Sequence, residues 1–102
     1  MPLLALVVST RTDVVVAADL AAAARARHVD VEMFFMDRAV AELAAAPNVR
    51  AQLVDLGCEL IACASSAEQL GVDSASLANV LLGSQDDHAA AVHKADRVVA
   101  FT

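Results

Sequence analysis

The sequence predicts an α/β domain, a three-layer α/β/α sandwich around a five-stranded, largely parallel sheet. Apolar runs of strand length alternate five times with segments of helical pattern. Several of these runs are apolar throughout, as in strands that are buried on both faces of a parallel sheet. The chain has 102 residues, enough for one core and too few for two. We therefore expect residues 1–102 to form a single domain.

The first part of the chain reads as strand, helix, strand. Leu3–Ser9 is a continuous apolar run of strand length. Thr12 and Asp13 then supply a cap and an acidic first turn for a helix that ends near His28. Val31–Met36 is predicted as the second strand, and its apolar character favours burial on both faces.

The middle of the chain is predicted to hold two helices and the third strand. Asp37–Ala46 has a helical pattern that is broken at Pro47. Asn48 is expected to cap a further helix, which stops at Gly57 in the position after the C-cap. Glu59–Ala64 then forms the third strand.

The last part repeats the alternation. Ser65 and Glu68 have the S-x-x-E spacing of a capping box, which predicts a helix directly after the third strand. Asn79–Leu82 is a fourth, short strand, and Ser84 begins the last helix. Arg97–Phe101 closes the chain as the fifth strand, so that no linker or internal repeat is left over.

The two cysteines fall at opposite ends of the third strand. Binding and chemistry in parallel sheets gather at the carboxyl ends of the strands, and Cys63 is at such an end whereas Cys58 is not. Five residues apart on one strand, the two thiols would be roughly 16 Å apart and on opposite faces, beyond the reach of a disulfide. We expect two free thiols, with Cys58 a packing residue.

Cys63 is the candidate reactive residue, because it immediately precedes a predicted helix. Unpaired N–H groups and the positive end of the helix dipole favour the thiolate, which is the nucleophilic form. Glu68 and Gln69 follow in that helix, and a neighbouring carboxylate raises a thiol pKa. If the second and third strands pair, Arg38 is the nearest cation that could offset this effect.

Three parts of the sequence resemble the DsrE/DsrF-like family of small sulfur-relay proteins. They are the spacing of Gly57, Cys63 and Gly71, the VEMFFM strand, and the chain ending KADRVVAFT. The resemblance extends over the whole length. It implies an α/β/α sandwich with a five-stranded parallel sheet, assembly into trimers or hexamers, and a cysteine that carries sulfur as a persulfide. That cysteine matches Cys63, and a sulfur donor or acceptor protein would be its partner.

Composition excludes several other classes. Seven basic against thirteen acidic residues give a net charge of -6, which argues against nucleic acid as a ligand. The N-terminus has no basic segment before its apolar run, and the later run Val14–Ala24 is interrupted by Asp19 and too short to span a bilayer. We expect a cytoplasmic protein without a membrane partner. The 59% hydrophobic content favours a homo-oligomer.

No cofactor or metal is expected. There is neither a P-loop nor a G-x-G-x-x-G motif. His88 and His93 are five residues apart, so they point about 140° away from each other on a helix, whereas zinc-binding pairs on helices are four apart. His88, one turn into the last helix, is instead a candidate for the rim that carries Cys63.

Three functions remain open from the residues. The first is a sulfur carrier that acts through Cys63, whose enzymatic character is at most sulfur transfer. The second is a module that binds a small molecule or anion at the strand ends. The third is an oligomeric scaffold with an unreactive thiol. The candidate anion and rim contacts are Thr10, Arg11, Thr12, Arg38, Ser65 and Ser66.

Overall fold

Residues 2–102 are described by a computed structural model. The strands are β1 (Leu3–Val8), β2 (Asp30–Phe35), β3 (Glu59–Cys63), β4 (Leu81–Gly83) and β5 (Arg97–Phe101). The α-helices are α1 (Val14–Ala26), α2 (Arg38–Ala44), α3 (Pro47–Asp55), α4 (Ala64–Gln69) and α5 (Gln85–Lys94), and two short 3-10 helices cover Arg11–Asp13 and Ser74–Leu77.

The strands form one sheet in the order β4-β3-β2-β1-β5, and every neighbouring pair is parallel. The predicted fold class is therefore confirmed, with a sheet that is parallel throughout the described residues. Because β3 has a neighbour on each side, its carboxyl end lies inside the rim and away from the sheet edges.

One face of the sheet carries the main core. Alternate strand residues point to this face, as the two-residue period of a strand requires. They pack against α1, α2, α3 and α4, and the largest fully buried side chains are Phe35, Leu6, Met33, Leu43 and Leu53. Four helices thus form one outer layer.

The other face is covered by α5 alone among the described helices. This helix connects β4 at one sheet edge to β5 at the other, so it crosses the whole sheet. Phe34, Ile61 and Cys63 form a small cluster on this face, separate from the main core. Lys94 at the end of α5 forms an ion pair with the buried Glu32 on the same face, with 2.7 Å between Nζ and Oε1. The third layer of the sandwich is therefore thin.

Two predicted helix boundaries are confirmed. Ser84 caps α5 and forms a capping box with Asp87. Gly57 follows α3 with a φ of +83°, a conformation that disfavours residues with a side chain. Both signals depend on one residue and its immediate neighbours, which is why the sequence alone identified them.

Three predicted caps are wrong. Helix α4 starts at Ala64 directly after β3, so Cys63 occupies the cap position and Ser65 lies within the helix, where it cannot form the predicted box with Glu68. Helix α3 starts at Pro47, one residue before Asn48, because proline suits the first helical position. At α1 the cap position holds Asp13, without a side-chain cap hydrogen bond, after a 3-10 turn that includes Thr12.

The fourth strand is displaced from its predicted range. Asn79 has a φ of +67°, which is incompatible with an extended strand, and β4 begins two residues later at Leu81. As a consequence the strand ends at Gly83, which pairs in register with Cys63.

Candidate functional site

Cys63 lies where the sequence places it, at the carboxyl rim of an interior strand. It is the last residue of β3 and the cap residue of α4, with extended backbone angles. Its side chain faces the layer formed by α5, and the residue is 6% exposed. The predicted rim position is therefore confirmed, and only a small part of the residue is accessible to solvent.

Uncharged hydrogen-bond donors surround the sulfur. Burial opposes ionisation of Cys63, but the Ser66 hydroxyl, the backbone N–H groups of Ser66 and Ser65, and the Gln85 amide favour the thiolate, so that the thiol pKa is lowered. Ser66 makes the largest of these favourable contributions. The site thus stabilises a thiolate without a cation.

Ser66 is held in place by the neighbouring strand end. It is one of the few buried polar residues, and its Oγ accepts a hydrogen bond of 2.9 Å from the backbone N–H of Asp37, which follows β2. A hydroxyl that accepts from one neighbour keeps its own proton for another. Ser66 can therefore accept from Asp37 and donate to the sulfur of Cys63 at the same time.

Gln85 brings α5 to the site. Its Nε2 donates to Sγ of Cys63 at 4.0 Å, and its Oε1 lies 3.1 Å from Nδ1 of His88. The His88 ring stacks on Phe34, with 5.0 Å between ring centroids and 18° between planes. His88 therefore lines the rim as expected, while Gln85 is a contact that the sequence did not reveal.

Gly83 allows this close approach of β4 and α5 to β3. A Cβ atom at Gly83 would stand 2.6 Å from Oδ2 of Asp87 and 2.8 Å from Cγ2 of Ile61. Both distances are shorter than real Cβ contacts, so a side chain here would displace the capping box or the strand. The glycine thus sets the position of the first turn of α5 above Cys63.

Two predicted electrostatic influences on Cys63 are wrong. Neither Glu68 nor Arg38 is among the groups that shift the pKa of this thiol. Arg38 opens α2 on the adjacent strand end, as predicted, but its side chain is exposed, and so is that of Glu68. Ser65 acts through its backbone N–H and has an exposed side chain.

The predicted anion contacts lie elsewhere on the rim. Thr10, Arg11 and Thr12 follow β1, which is two strands from β3, or roughly 10 Å along the sheet. The hydroxyl of Thr10 donates to the carboxylate of Asp13, and the side chains of Arg11 and Thr12 are exposed. The structure does not bring these three residues to Cys63, and an anion site there stays a prediction.

Cys58 is a packing residue. It immediately precedes β3, is 8% exposed and belongs to the main core. Burial raises the pKa of its thiol, and the charge of Arg25 opposes that effect only in part. Both cysteines are free thiols, as predicted.

The amino end of the sheet has a different chemistry. A cavity of about 410 Å³ opens there, lined by Glu32, Glu59, Lys94 and Asp96 among others. It contains carboxylates and one ammonium group but neither thiol. The described residues of the cavity thus include no thiol nucleophile. We place the candidate site at Cys63, because a nucleophile and the donors that favour its ionised form lie together at the opposite end of the sheet.

The described part of the chain has neither a metal-binding cluster nor a membrane-spanning helix. Within residues 2–102, no cluster of three or more His, Cys, Asp or Glu side chains is arranged to hold a metal ion. None of the helices in this range has the length and apolar character needed to cross a membrane.

Comparison with known proteins identifies a family and a fold. The model of the DsrE/DsrF-like family matches residues 4–101. No curated protein matches the chain. The crystal structure of the ychN protein from E. coli is similar with a TM-score of 0.81 and 17% identity, over 99% of this chain and 100% of that one. A conserved protein of unknown function from Bacteroides thetaiotaomicron, BT1422, is similar with a TM-score of 0.79 and 16% identity, over 97% and 94%.

Proposed function

We propose, since this chain belongs to the DsrE/DsrF-like family, that it carries sulfane sulfur as a persulfide on Cys63. Membership of this family suggests a function of the sulfur-relay kind. The observation that carries the assignment to one residue is the set of uncharged donors around a free thiol whose pKa is lowered. Cys58 has the opposite pKa shift and lies in the core, so it is the poorer candidate.

The transfer needs no external oxidant or reductant. The Cys63 thiolate attacks the outer sulfur of a donor persulfide, R–S–SH, and the donor S–S bond breaks as the new Sγ–S bond forms. The donor leaves as the thiolate R–S⁻, and Cys63 becomes Cys–S–SH. An acceptor thiolate then attacks the same outer sulfur and regenerates the Cys63 thiolate. The donors of Ser66 and Gln85 stabilise the charge on Sγ before the first step and after the second.

The low exposure of Cys63 restricts how sulfur can arrive. Because the residue is 6% exposed, little of it is accessible to a broad, flat protein surface. An extended loop or chain end that carries the donor cysteine can approach such a residue more closely. We infer that both partners present their cysteines on projecting segments.

Assembly with copies of itself is part of the proposal. Large apolar side chains remain exposed on α1 and β4, among them Val15 at 56%, Val16 at 52% and Leu81 at 59%. Large apolar side chains that stay exposed in one chain are candidates for burial between copies. Light scattering coupled to size-exclusion chromatography should give a mass that is a multiple of 10.6 kDa; a monomer at micromolar concentration would contradict this part.

Sulfur loading tests the function directly. The protein is incubated with a cysteine desulfurase and cysteine, digested without reductant, and analysed by mass spectrometry. The peptide that contains Cys63 should gain one sulfur, about 32 Da. Cys63→Ser should abolish the gain, while Cys58→Ser should preserve it. Loading on Cys58 instead, or no loading of either thiol, would contradict the proposed function.

A further inference from the structure

Three side chains on one face of the sheet form an unbroken series that ends at Cys63. Phe34 stacks on His88, His88 Nδ1 lies 3.1 Å from Oε1 of Gln85, and Nε2 of Gln85 lies 4.0 Å from Sγ. The series includes residues of β2, β3 and α5. None of its contacts is needed to close the main core, which lies on the other face of the sheet.

We propose that Gln85 is a positioning donor for the sulfur of Cys63 and that His88 fixes the orientation of its amide. The biological use of this arrangement rests on the proposed function of Cys63 as a sulfur carrier. It extends that function by assigning two residues on a separate helix to the control of the thiol.

The need for an orienting partner follows from the chemistry of an amide. A glutamine side chain ends in an acceptor oxygen and a donor nitrogen of nearly equal size, and a half-turn about the last bond exchanges them. With Oε1 towards the thiol, the amide would repel a thiolate. A ring N–H of His88 that donates to Oε1 selects the orientation in which Nε2 faces the sulfur of Cys63.

The local structure keeps both residues in place. Gln85 is the first residue of α5 and His88 lies three positions later, so they share one face of the helix. The Ser84 and Asp87 capping box fixes the start of the helix, and the stack on Phe34 limits rotation of the His88 ring. Gln85 and His88 are thus held from two sides, by Phe34 on β2 and by the capped first turn of α5.

The rate of Cys63 alkylation by iodoacetamide, measured against pH, tests this role, with each modified cysteine identified by peptide mass. Gln85→Leu removes the donor and keeps the size, so we expect roughly threefold slower alkylation at neutral pH and a profile shifted to higher pH. Gln85→Glu places a carboxylate against the sulfur and should slow the reaction more. The limiting rate at high pH should not change, since access to the thiol is not altered.

A double-mutant cycle separates positioning from packing. His88→Phe keeps a ring to stack on Phe34 but removes the nitrogen, and it should reproduce the Gln85→Leu shift. The double variant should be no slower than Gln85→Leu alone, because His88 acts through Gln85. The matched controls are Gln69→Leu and His93→Phe, which change exposed residues of the same types and should leave the profile unchanged.

The outcomes distinguish this role from the proposed function. An unchanged profile for both Gln85 variants would overturn the donor role, and additive effects of the two sites would overturn the orienting role of His88. If the profile shifts as expected but wild-type Cys63 accepts no sulfur from the desulfurase, the role of Gln85 and His88 in thiol ionisation stands and the persulfide function fails.

Discussion

The two cysteines at the ends of β3 have thiol pKa values that are shifted in opposite directions. The exposed fractions of the two residues are similar, 6% for Cys63 at the carboxyl end and 8% for Cys58 just before the strand. The pKa of Cys63 is nevertheless lowered, whereas that of Cys58 is raised.

The difference comes from what surrounds each sulfur. Cys58 is packed among apolar side chains, where a charge has no partner but the partly opposing Arg25. Cys63 lies at the start of α4 and beside the start of α5, where N–H groups of Ser65, Ser66 and Gln85 are available. A strand end that meets two helix starts can therefore favour a thiolate even without a nearby cation.

Removal of the Ser66 hydroxyl, the strongest donor to Cys63, should reduce the difference in reactivity between the two cysteines more than any other change. In Ser66→Ala, the hydroxyl that favours the Cys63 thiolate is lost, and we expect roughly tenfold slower alkylation of Cys63 at neutral pH. Ser65→Ala is the matched control, because Ser65 acts through its backbone N–H and should keep the wild-type rate. Equal rates in the two variants would show that the side-chain donor is not what distinguishes Cys63.

Replacement of each cysteine by serine should change the free energy of unfolding by different amounts at the two positions. Cys58→Ser places a polar group in the main core and should lower the free energy of unfolding by about 1–2 kcal/mol. Cys63→Ser places the same group among hydrogen-bond donors and should cost less. Urea denaturation of both variants at equal protein concentration measures the difference. A larger decrease in the free energy of unfolding for Cys63→Ser than for Cys58→Ser would contradict the presence of hydrogen-bond donors around Cys63.

At the amino end of β3, Glu59 should have a smaller effect on stability, and this effect should depend on pH. A hydrogen bond shared with Glu32, together with burial and the charge of Glu32, raises the pKa of Glu59 above 4.5, and Lys94 opposes the shift. A carboxyl group whose pKa is higher in the folded than in the unfolded protein stabilises the fold when it is protonated. This stabilisation is complete below the pKa of the unfolded state and is lost as the pH rises through the pKa of the folded state. At neutral pH the ionised Glu59 is therefore unfavourable.

Glu59→Gln should remove this penalty. Since Glu59 is exposed, solvent screens the effect, and we expect a gain of a few tenths of a kcal/mol at pH 7.5. The gain should disappear in acid, well below the ordinary pKa of a glutamate, because the wild-type carboxyl is then protonated too. Thermal unfolding at both pH values checks this, and an equal gain at both would contradict the assignment to ionisation.

The sequence predicted the features that depend on local pattern. Apolar runs locate β1, β2, β3 and β5 to within one residue, and the rim position of Cys63 follows from β3 alone. The capping signals are less reliable, because Ser65 and Asn48 have suitable side chains but each lies two residues after the cap position of its helix. Where a helix begins is decided by the preceding strand or by a proline, and not only by the polar residue nearby.

The donors around Cys63 depend on features that single-sequence reasoning does not resolve. Gln85 reaches the sulfur because β4 pairs with β3 and ends at Gly83, two residues before it. The apolar pattern predicts an end of β4 that is one residue too early, and the sequence suggests only that β2 and β3 are neighbours in the sheet. The sequence predicts Ser66 as a rim contact, but its role depends on the backbone of Asp37, which is distant in sequence.

The most direct test of the account compares the two thiols of the native protein in one experiment. Brief treatment with iodoacetamide near neutral pH, followed by peptide mass analysis, measures both alkylation rates. The structure predicts fast modification of Cys63 and, at the same time point, almost none of Cys58 until urea unfolds the chain. Equal rates in the native protein, or no native reaction of Cys63, would contradict the claim that donors at the carboxyl end of β3 make this thiol a nucleophile.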